Sequence, residues 1–363
     1  MPSVDPKKIG ILNFQYSDHN YGAVLQAAAL EFSLKKMGYE AVHIDFRPRR
    51  SLSLRSVAGK ILRLLRLRNI PAITQVKNKE AFESFRRKHI ERTRRVETKK
   101  EFRSIASCFG TIIVGSDQVW RPSMSADASA FFLANVPSSV NRVAYAASFG
   151  VGSWDFAKDS IFTIKAKNEL KRFKAISCRE SSGVDICKNI FEVNAVQVLD
   201  PLLLVRDEFF KGIISGHACD SAAPVIHYKL DADENFNKSL SLIERLEGAK
   251  SLNIYFQGGG CACFNEVSDW LYLIYKSEVV VTDSYHCICL ALRFGKEVYY
   301  SPNPGRGQAR LDSLFKMLDL NLLPIAGTND HPVYKLKRNK NIDAILMQER
   351  KGGFLFLVDA LSS

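Results

Sequence analysis

The sequence has no run of eighteen or more apolar residues, which excludes an ordinary membrane-spanning helix. It has no charged start followed by an apolar run and a small-residue cleavage site. The expected location is therefore the cytoplasm. Neither the Walker phosphate loop nor the dinucleotide fingerprint G-x-G-x-x-G occurs at the right place, so the common nucleotide-cradling signatures are missing. There is no internal repeat and no long low-complexity segment. Cysteine is sparse: eight residues scattered over 363 read as thiols, not as a disulfide framework. Acidic residues are outnumbered, 38 against 51 Lys and Arg. The resulting formal charge of +13 implies an anionic partner such as nucleic acid, anionic lipid or a phosphorylated substrate.

What is present is apolar residues in quantity, 46% of the chain, enough for more than one core. IGILNF at 9–14 reads as a buried strand. From Gly22 to Met37 apolar residues recur every three or four positions, with Asn20 as N-cap and Gly38 as helix stop. AVHID at 41–45 follows as a second strand, completing a βαβ unit that calls for a parallel sheet. The alternation continues through TIIVG, RVAYAASFG, KAISCRE and VQVLDP, then restarts after a linker with PVIHYKL, SLNIYF, EVVVT and EVYYS. The expected fold class is α/β. Two successive α/β domains, residues 1–205 and 206–363, are expected to face a cleft, the first carrying a basic helical insertion at about 47–105. In such sheets ligands bind beyond the carboxyl ends of the strands.

The insertion begins with a basic stretch, 47–69, in which Val57, Ile61, Leu62, Leu64 and Leu65 are interleaved with arginines. It reads either as a helix on an anionic membrane surface or as a solvated helix packing its leucines on the domain. The following FESFRRKHIERTRRVETKK reads as an ordinary charged surface helix and loop.

Polar residues cluster at strand ends. After EVVVT come Asp283, Ser284, Tyr285 and His286, opening a helix whose free N–H groups favour an anion and where a histidine can move protons near neutral pH. Local capping by Ser284 or Asp283 accounts for the same residues without function. After TIIV come Gly115, Ser116, Asp117, Gln118 and Trp120, the last a stacking platform for a sugar ring or a filler at the domain boundary. After KAISC comes Arg179, matched to a carboxylate or phosphate, or else to Glu180 in a surface salt network. Asn20, Tyr21 and Gly22 open the first helix, where glycine permits close approach. Gly258 and Gly259 in FQGGGCACF form a possible phosphate cradle or a plain loop. Two C-x-C pairs, Cys261/Cys263 and Cys287/Cys289, have the wrong spacing for a structural zinc site, and no metal is expected.

Six of these segments, in order, give the chain a family resemblance: NYGAVLQAAAL, IIVGSDQVW, VAYAASFG, ISCRE, VLDPLLL and VTDSYHCICLALRFGKEV. Together they resemble the polysaccharide pyruvyl transferase family. The resemblance implies two Rossmann-like domains in a GT-B-like arrangement with the active site in the inter-domain cleft. It also implies a reaction in which phosphoenolpyruvate passes its enolpyruvyl unit to two hydroxyls of one sugar, giving a cyclic pyruvate ketal and phosphate. On the same ground His286 and Arg179 are the expected catalytic residues, and Arg310 is an expected anion contact. Phosphoenolpyruvate is then the donor substrate, no cofactor is required, and a saccharide, lipid-linked if 47–69 meets the inner membrane surface, is the acceptor. Cys287 departs from the smaller residue more frequent in the family and is expected to narrow the pocket.

Two other readings compete. A GT-B glycosyltransferase with a nucleotide sugar shares the fold and a basic cleft, but no acidic residue stands where it would hold a ribose. A nucleic-acid binder fits the charge, but the basic residues concentrate in 47–100 while the polar motifs sit at strand ends, so no nucleic acid is expected.

Overall fold

The computed structural model describes residues 5, 7–48, 77–215, 223–229, 232–256, 263–303, 307–327 and 332–362. Gly258, Gly259, Cys261 and all but the first two residues of 47–69 lie outside them.

The first sheet runs β2-β1-β3-β4-β5-β6 and is parallel throughout. Its strands are β1 (Lys8–Leu12), β2 (Glu40–His43), β3 (Thr111–Val114), β4 (Asn141–Ala147), β5 (Ala175–Cys178) and β6 (Val196–Gln197). The second runs β11-β12-β10-β9-β7-β8. It comprises β7 (Val225–Tyr228), β8 (Ser251–Asn253), β9 (Val279–Thr282), β10 (Glu297–Tyr300), β11 (Asn321–Pro324) and β12 (Tyr334–Lys337), with β12 antiparallel to both its neighbours. Near-continuous apolar runs such as Thr111–Val114 and Val279–Thr282 are buried along their whole length, as strands covered by helices on both faces must be. Each sheet therefore has the same core order, second strand, first, third, fourth. The chain reverses direction at β1/β3 in one sheet and β7/β9 in the other, and doubly wound folds bind ligands at such switch points.

Seven helices shape the site and the boundary between the halves: α1 (Tyr21–Lys36), α2 (Glu80–His89), α3 (Ser181–Ile186), α4 (Val267–Lys276), α5 (Tyr285–Arg293), α6 (Ala309–Met317) and α7 (Ile342–Leu361). Asn20 caps α1 through its side chain, which accepts from the Ala23 amide, and Gly38 follows the helix at φ +89°, the left-handed region glycine tolerates. Helix α1 is buried nearly all round because it lies between the two halves, so its apolar residues do not form a single stripe. Helix α7 belongs by sequence to the second half, yet its Leu357 and Ala360 share a core with Ile9 and Ile11 of the first sheet. Helix α2 also departs from expectation. It is not a plain surface helix: Phe82 and Phe85 are buried in the inter-domain core, Phe82 lying 5.0 Å from the ring of Tyr21 and 5.1 Å from that of Phe264. Its four basic residues hid that apolar pair from a composition-based reading. Among the described residues no helix is long and apolar enough to cross a membrane.

Candidate active site

The end of β7 and the segments after β1, β3, β8, β9 and β10 converge on one cavity of about 620 Å³. The first half contributes His19, Asn20, Asp117, Gln118 and Arg121; the second contributes Tyr228, Tyr255, Asp283 to His286, Asn303 and Arg310. Closure depends on a glycine. A Cβ on Gly22 would stand 2.3 Å from His286 Nδ1, so α1 can lie against the start of α5 only because that side chain is missing. Ser284 caps α5, its Oγ accepting from the Cys287 amide at 3.4 Å.

Behind this wall lies a buried ion cluster drawn from both halves. Arg179 Nη1 donates to Asp200 Oδ2 at 3.0 Å and stands 3.1 Å from His286 Nε2, while its guanidinium carbon lies 4.2 Å from the centre of the Tyr285 ring. Ser116 Oγ donates to the same Asp200 oxygen at 2.8 Å, and the Leu202 amide donates to the other. Burial alone would raise the Asp200 pKa, but His286 and Arg179 outweigh it and hold the carboxyl well below the usual carboxylate range. Burial likewise opposes the charge on Arg179 and is overcome by Tyr285, Asp200 and Asp117. An arginine can only donate, so Nε2 accepts from it when the ring is neutral, whereas a protonated ring turns Nε2–H toward Asp200 Oδ2 at 3.6 Å, the state in which it lowers the Asp200 pKa. Arg179 Nε and Nη2 have no hydrogen-bond partner among the described residues.

Arg310 also stands near Tyr285, its guanidinium carbon 5.8 Å from the ring centre. Burial, and then repulsion from Arg179, push its pKa down to about 10, against the pull of Asp117 and Glu180. Two guanidinium charges thus share one aromatic ring. That is costly unless acidic groups or an anion offset it.

The side chains expected at the site separate into three groups. Asn20, Asp117, Gln118, Ser284, Tyr285, His286 and Arg310 line the cavity. Arg179 and Ser116 do not: both are buried behind it, with Asp117, Tyr285 and His286, which contact Arg179, forming the wall. The pairing of Arg179 with Glu180 in a surface network does not occur either. Glu180 is buried and accepts from Ser148 Oγ and from the amides of Phe149 and Gly150, pinning the loop that supports Gln118.

Tyr21 and Trp120 are corrections. Tyr21 is fully buried, stacks on Trp270 at 4.9 Å, and its hydroxyl is taken up by the Asn265 amide and the Tyr255 carbonyl, so it cements the domain boundary and does not line this cavity. Trp120 is a core residue, packed on Phe132 and Phe149 with Nε1 donating to the Phe131 carbonyl; it cannot be a sugar platform. Cys287 points into the core and does not narrow the cavity, and Cys289 is buried beside it.

Sequence reasoning missed Asp200 and Arg86. Asp200 lay in VLDPLLL, and the signal was available: an acid at a strand's carboxyl end. Arg86 had no such signal. It reaches from α2 to the Ser17 carbonyl at 2.8 Å and to Asp18 at 2.5 Å, fixing the loop that presents His19 and Asn20.

A family model described as polysaccharide pyruvyl transferase matches residues 20–303. No curated protein matches the sequence. Among solved structures, the chain is similar to S. aureus MnaA in a co-structure with UDP, with 9% identity, 80% of this chain and 78% of that one covered, and a TM-score of 0.46. It is similar to UDP-GlcNAc 2-epimerase from Neisseria meningitidis bound to UDP-GlcNAc, with 12% identity, coverage of 86% and 91%, and a TM-score of 0.40. E. coli ADP-heptose LPS heptosyltransferase II gives 10%, 84% and 88%, and 0.33.

Proposed function

The chain belongs to the polysaccharide pyruvyl transferase family, and from that premise we propose that it moves the enolpyruvyl group of phosphoenolpyruvate onto two hydroxyls of one sugar in a surface or exopolysaccharide precursor. The products are a cyclic pyruvate ketal and inorganic phosphate. The observation that carries the reading is the pair of guanidiniums, Arg179 and Arg310, within 6 Å of the Tyr285 ring centre (4.2 and 5.8 Å) at a cavity lined by His286. Phosphoenolpyruvate carries a carboxylate and a phosphate, and a dianionic ligand supplies the charge such a pair requires.

In this reading Arg310 touches the anion and Arg179 acts from behind. Arg179 raises the local positive potential and orients His286 through the 3.1 Å contact, while Asp200 holds Arg179. The enol C3 takes a proton, which leaves an oxocarbenium-like C2. One sugar hydroxyl adds to C2 and loses its proton, the C2–O bond to phosphate breaks, and the second hydroxyl closes the ketal, losing its own proton. His286 is the group positioned for proton transfer or for protonating the departing phosphate. The chemistry needs no metal or cofactor to balance.

Phosphoenolpyruvate is a cytoplasmic metabolite, so the reading puts the protein in the cytoplasm. A lipid-linked acceptor would bring the basic segment 47–69 to the anionic inner membrane surface. Liposome binding unchanged by its deletion would remove that part of the reading.

The test is calorimetric titration with phosphoenolpyruvate beside UDP- and GDP-sugars. Saturable phosphoenolpyruvate binding, weakened in Arg310→Ala and in Arg179→Ala, is expected. Binding of a nucleotide sugar in its place would establish a GT-B glycosyltransferase instead.

A further inference from the structure

Arg121 also lines the cavity, and the chemistry proposed above does not use it. It lies in the segment after β3, at the start of the short turn Pro122–Met124. Arg179 is paired with Asp200, and Asp117 and Glu180 lie within electrostatic reach of Arg310. Arg121 differs. Among the described residues its side chain forms no ion pair, and Nη1 donates at 3.0 Å to Gln118 Oε1, a neutral amide oxygen. The amide orients the guanidinium without neutralising it. Nε is buried, but Nη2 is neither buried nor hydrogen-bonded among the described residues, so the outer edge of the fork is open to a ligand.

One loop sets the positions of this arginine and of Arg310. A Cβ on Gly150, at φ +68°, would overlap Gln118 Oε1, so the oxygen that holds Arg121 occupies the space that the glycine leaves. A Cβ on Gly307 would stand 2.5 Å from the Gly150 carbonyl oxygen, and the Gly307 carbonyl accepts from Arg310 Nε at 3.2 Å. Glu180 fixes the loop by accepting from the Gly150 amide at 3.1 Å. The contacts that place Arg121 of the first half and Arg310 of the second therefore meet at Gly150.

We propose that Arg121 binds the carboxylate of phosphoenolpyruvate while Arg310 takes its phosphate, so that each half of the protein holds one of the donor's two anionic groups. The inference rests on the proposed donor. Arg310 stands by Tyr285, next to the His286 assigned to the departing phosphate. Arg121 is then left for the carboxylate, which a planar guanidinium matches with parallel hydrogen bonds. The assignment also separates substrate from product: inorganic phosphate keeps the Arg310 contact and has nothing to offer Arg121.

The test is Arg121→Gln, which removes the charge and keeps a polar side chain. Phosphoenolpyruvate affinity is measured by calorimetry, and inorganic phosphate affinity by its competition with phosphoenolpyruvate on the same samples. Phosphoenolpyruvate should lose about tenfold or more in the variant, the size of a hydrogen bond between charged groups. Phosphate should lose less than about twofold, because only a screened, longer-range attraction has gone. Equal losses for the two ligands would mean that Arg121 adds general positive potential and grips no carboxylate, and that overturns the proposal. Unchanged phosphoenolpyruvate affinity overturns it as well. A wild type that binds no phosphoenolpyruvate removes the donor reading and this inference together, whereas a wild type that binds it beside an equally tight Arg121→Gln removes this inference alone. Should Arg121→Gln not fold, Arg121→Lys keeps the charge without the fork. It is expected to weaken phosphoenolpyruvate by about threefold and to leave phosphate unchanged; the same affinity as the wild type for both ligands there also overturns the proposal.

Discussion

His286 Nε2 stands 3.1 Å from Arg179 Nη1, although the two side chains come from different sheets and are 107 residues apart. The contact exists only while the two halves are closed on each other, with α1 against α5 and Tyr21 stacked on Trp270. The imidazole therefore takes its orientation from the opposite domain.

Gly22→Ala tests that dependence. The new methyl group would meet the His286 ring at 2.3–2.4 Å, so the ring must move. A displacement of about 1 Å at a reacting group can cost a hundredfold in rate. A drop of that order in turnover, with a smaller change in phosphoenolpyruvate affinity, is expected from steady-state kinetics and calorimetry. Unaltered turnover would show that the ring's position does not matter.

His286→Ala should lower turnover by about a hundredfold or more with the fold intact by circular dichroism. Arg179→Lys should also impair turnover, because a compact ammonium cannot hold Asp200, face Nε2 and stack on Tyr285 together. Near-wild-type kinetics in either variant would take that residue out of the mechanism.

Asp200→Ala leaves the Arg179 charge buried without its partner and should cost about 3–5 kcal/mol, read as a lower denaturation midpoint. Because the folded Asp200 carboxyl is held below its unfolded range, its contribution is complete above that range and is lost as the pH falls through the folded value. Acid stability curves of Asp200→Asn should accordingly be flatter at low pH than those of the wild type.

Trp120→Phe should reduce stability by about 1–3 kcal/mol, since the Phe131 carbonyl loses its donor in a packed core. Phosphoenolpyruvate and glycoside affinities should not change. Loss of sugar binding alone, with stability preserved, would restore Trp120 as a platform.

Burial pushes the His227 pKa down to about 4, against a weaker opposing effect of Glu244. The unfolded chain takes up the proton near pH 6.5 and the folded one only near pH 4. The stability this neutral ring confers is full above about pH 6.5 and declines as the pH falls toward about 4. The melting temperature of His227→Gln should fall less over that interval than that of the wild type.

Much of the architecture was legible because the signals are local. Strand runs such as Val279–Thr282 are almost wholly apolar, Asn20 and Ser284 are caps three residues from the amides they bind, and polar motifs at strand ends mark where doubly wound sheets bind ligands. Those features determined the α/β class, the two-sheet division and the set of loops that meet at the cavity. Local signals do not say which way a side chain faces once two domains close. Trp120 and Gln118 belong to one motif, yet one fills a core, its Nε1 bound to the Phe131 carbonyl, and the other lines the cavity. Phe82 in a basic helix, Asp200 beneath Arg179, and the return of α7 to the first sheet all depend on partners distant in sequence. The elements and the chemical vocabulary of the site were thus written in the chain itself. Which of those residues reach the cavity was settled only when distant segments closed on one another, since burial, pairing and reach are properties of the space between elements.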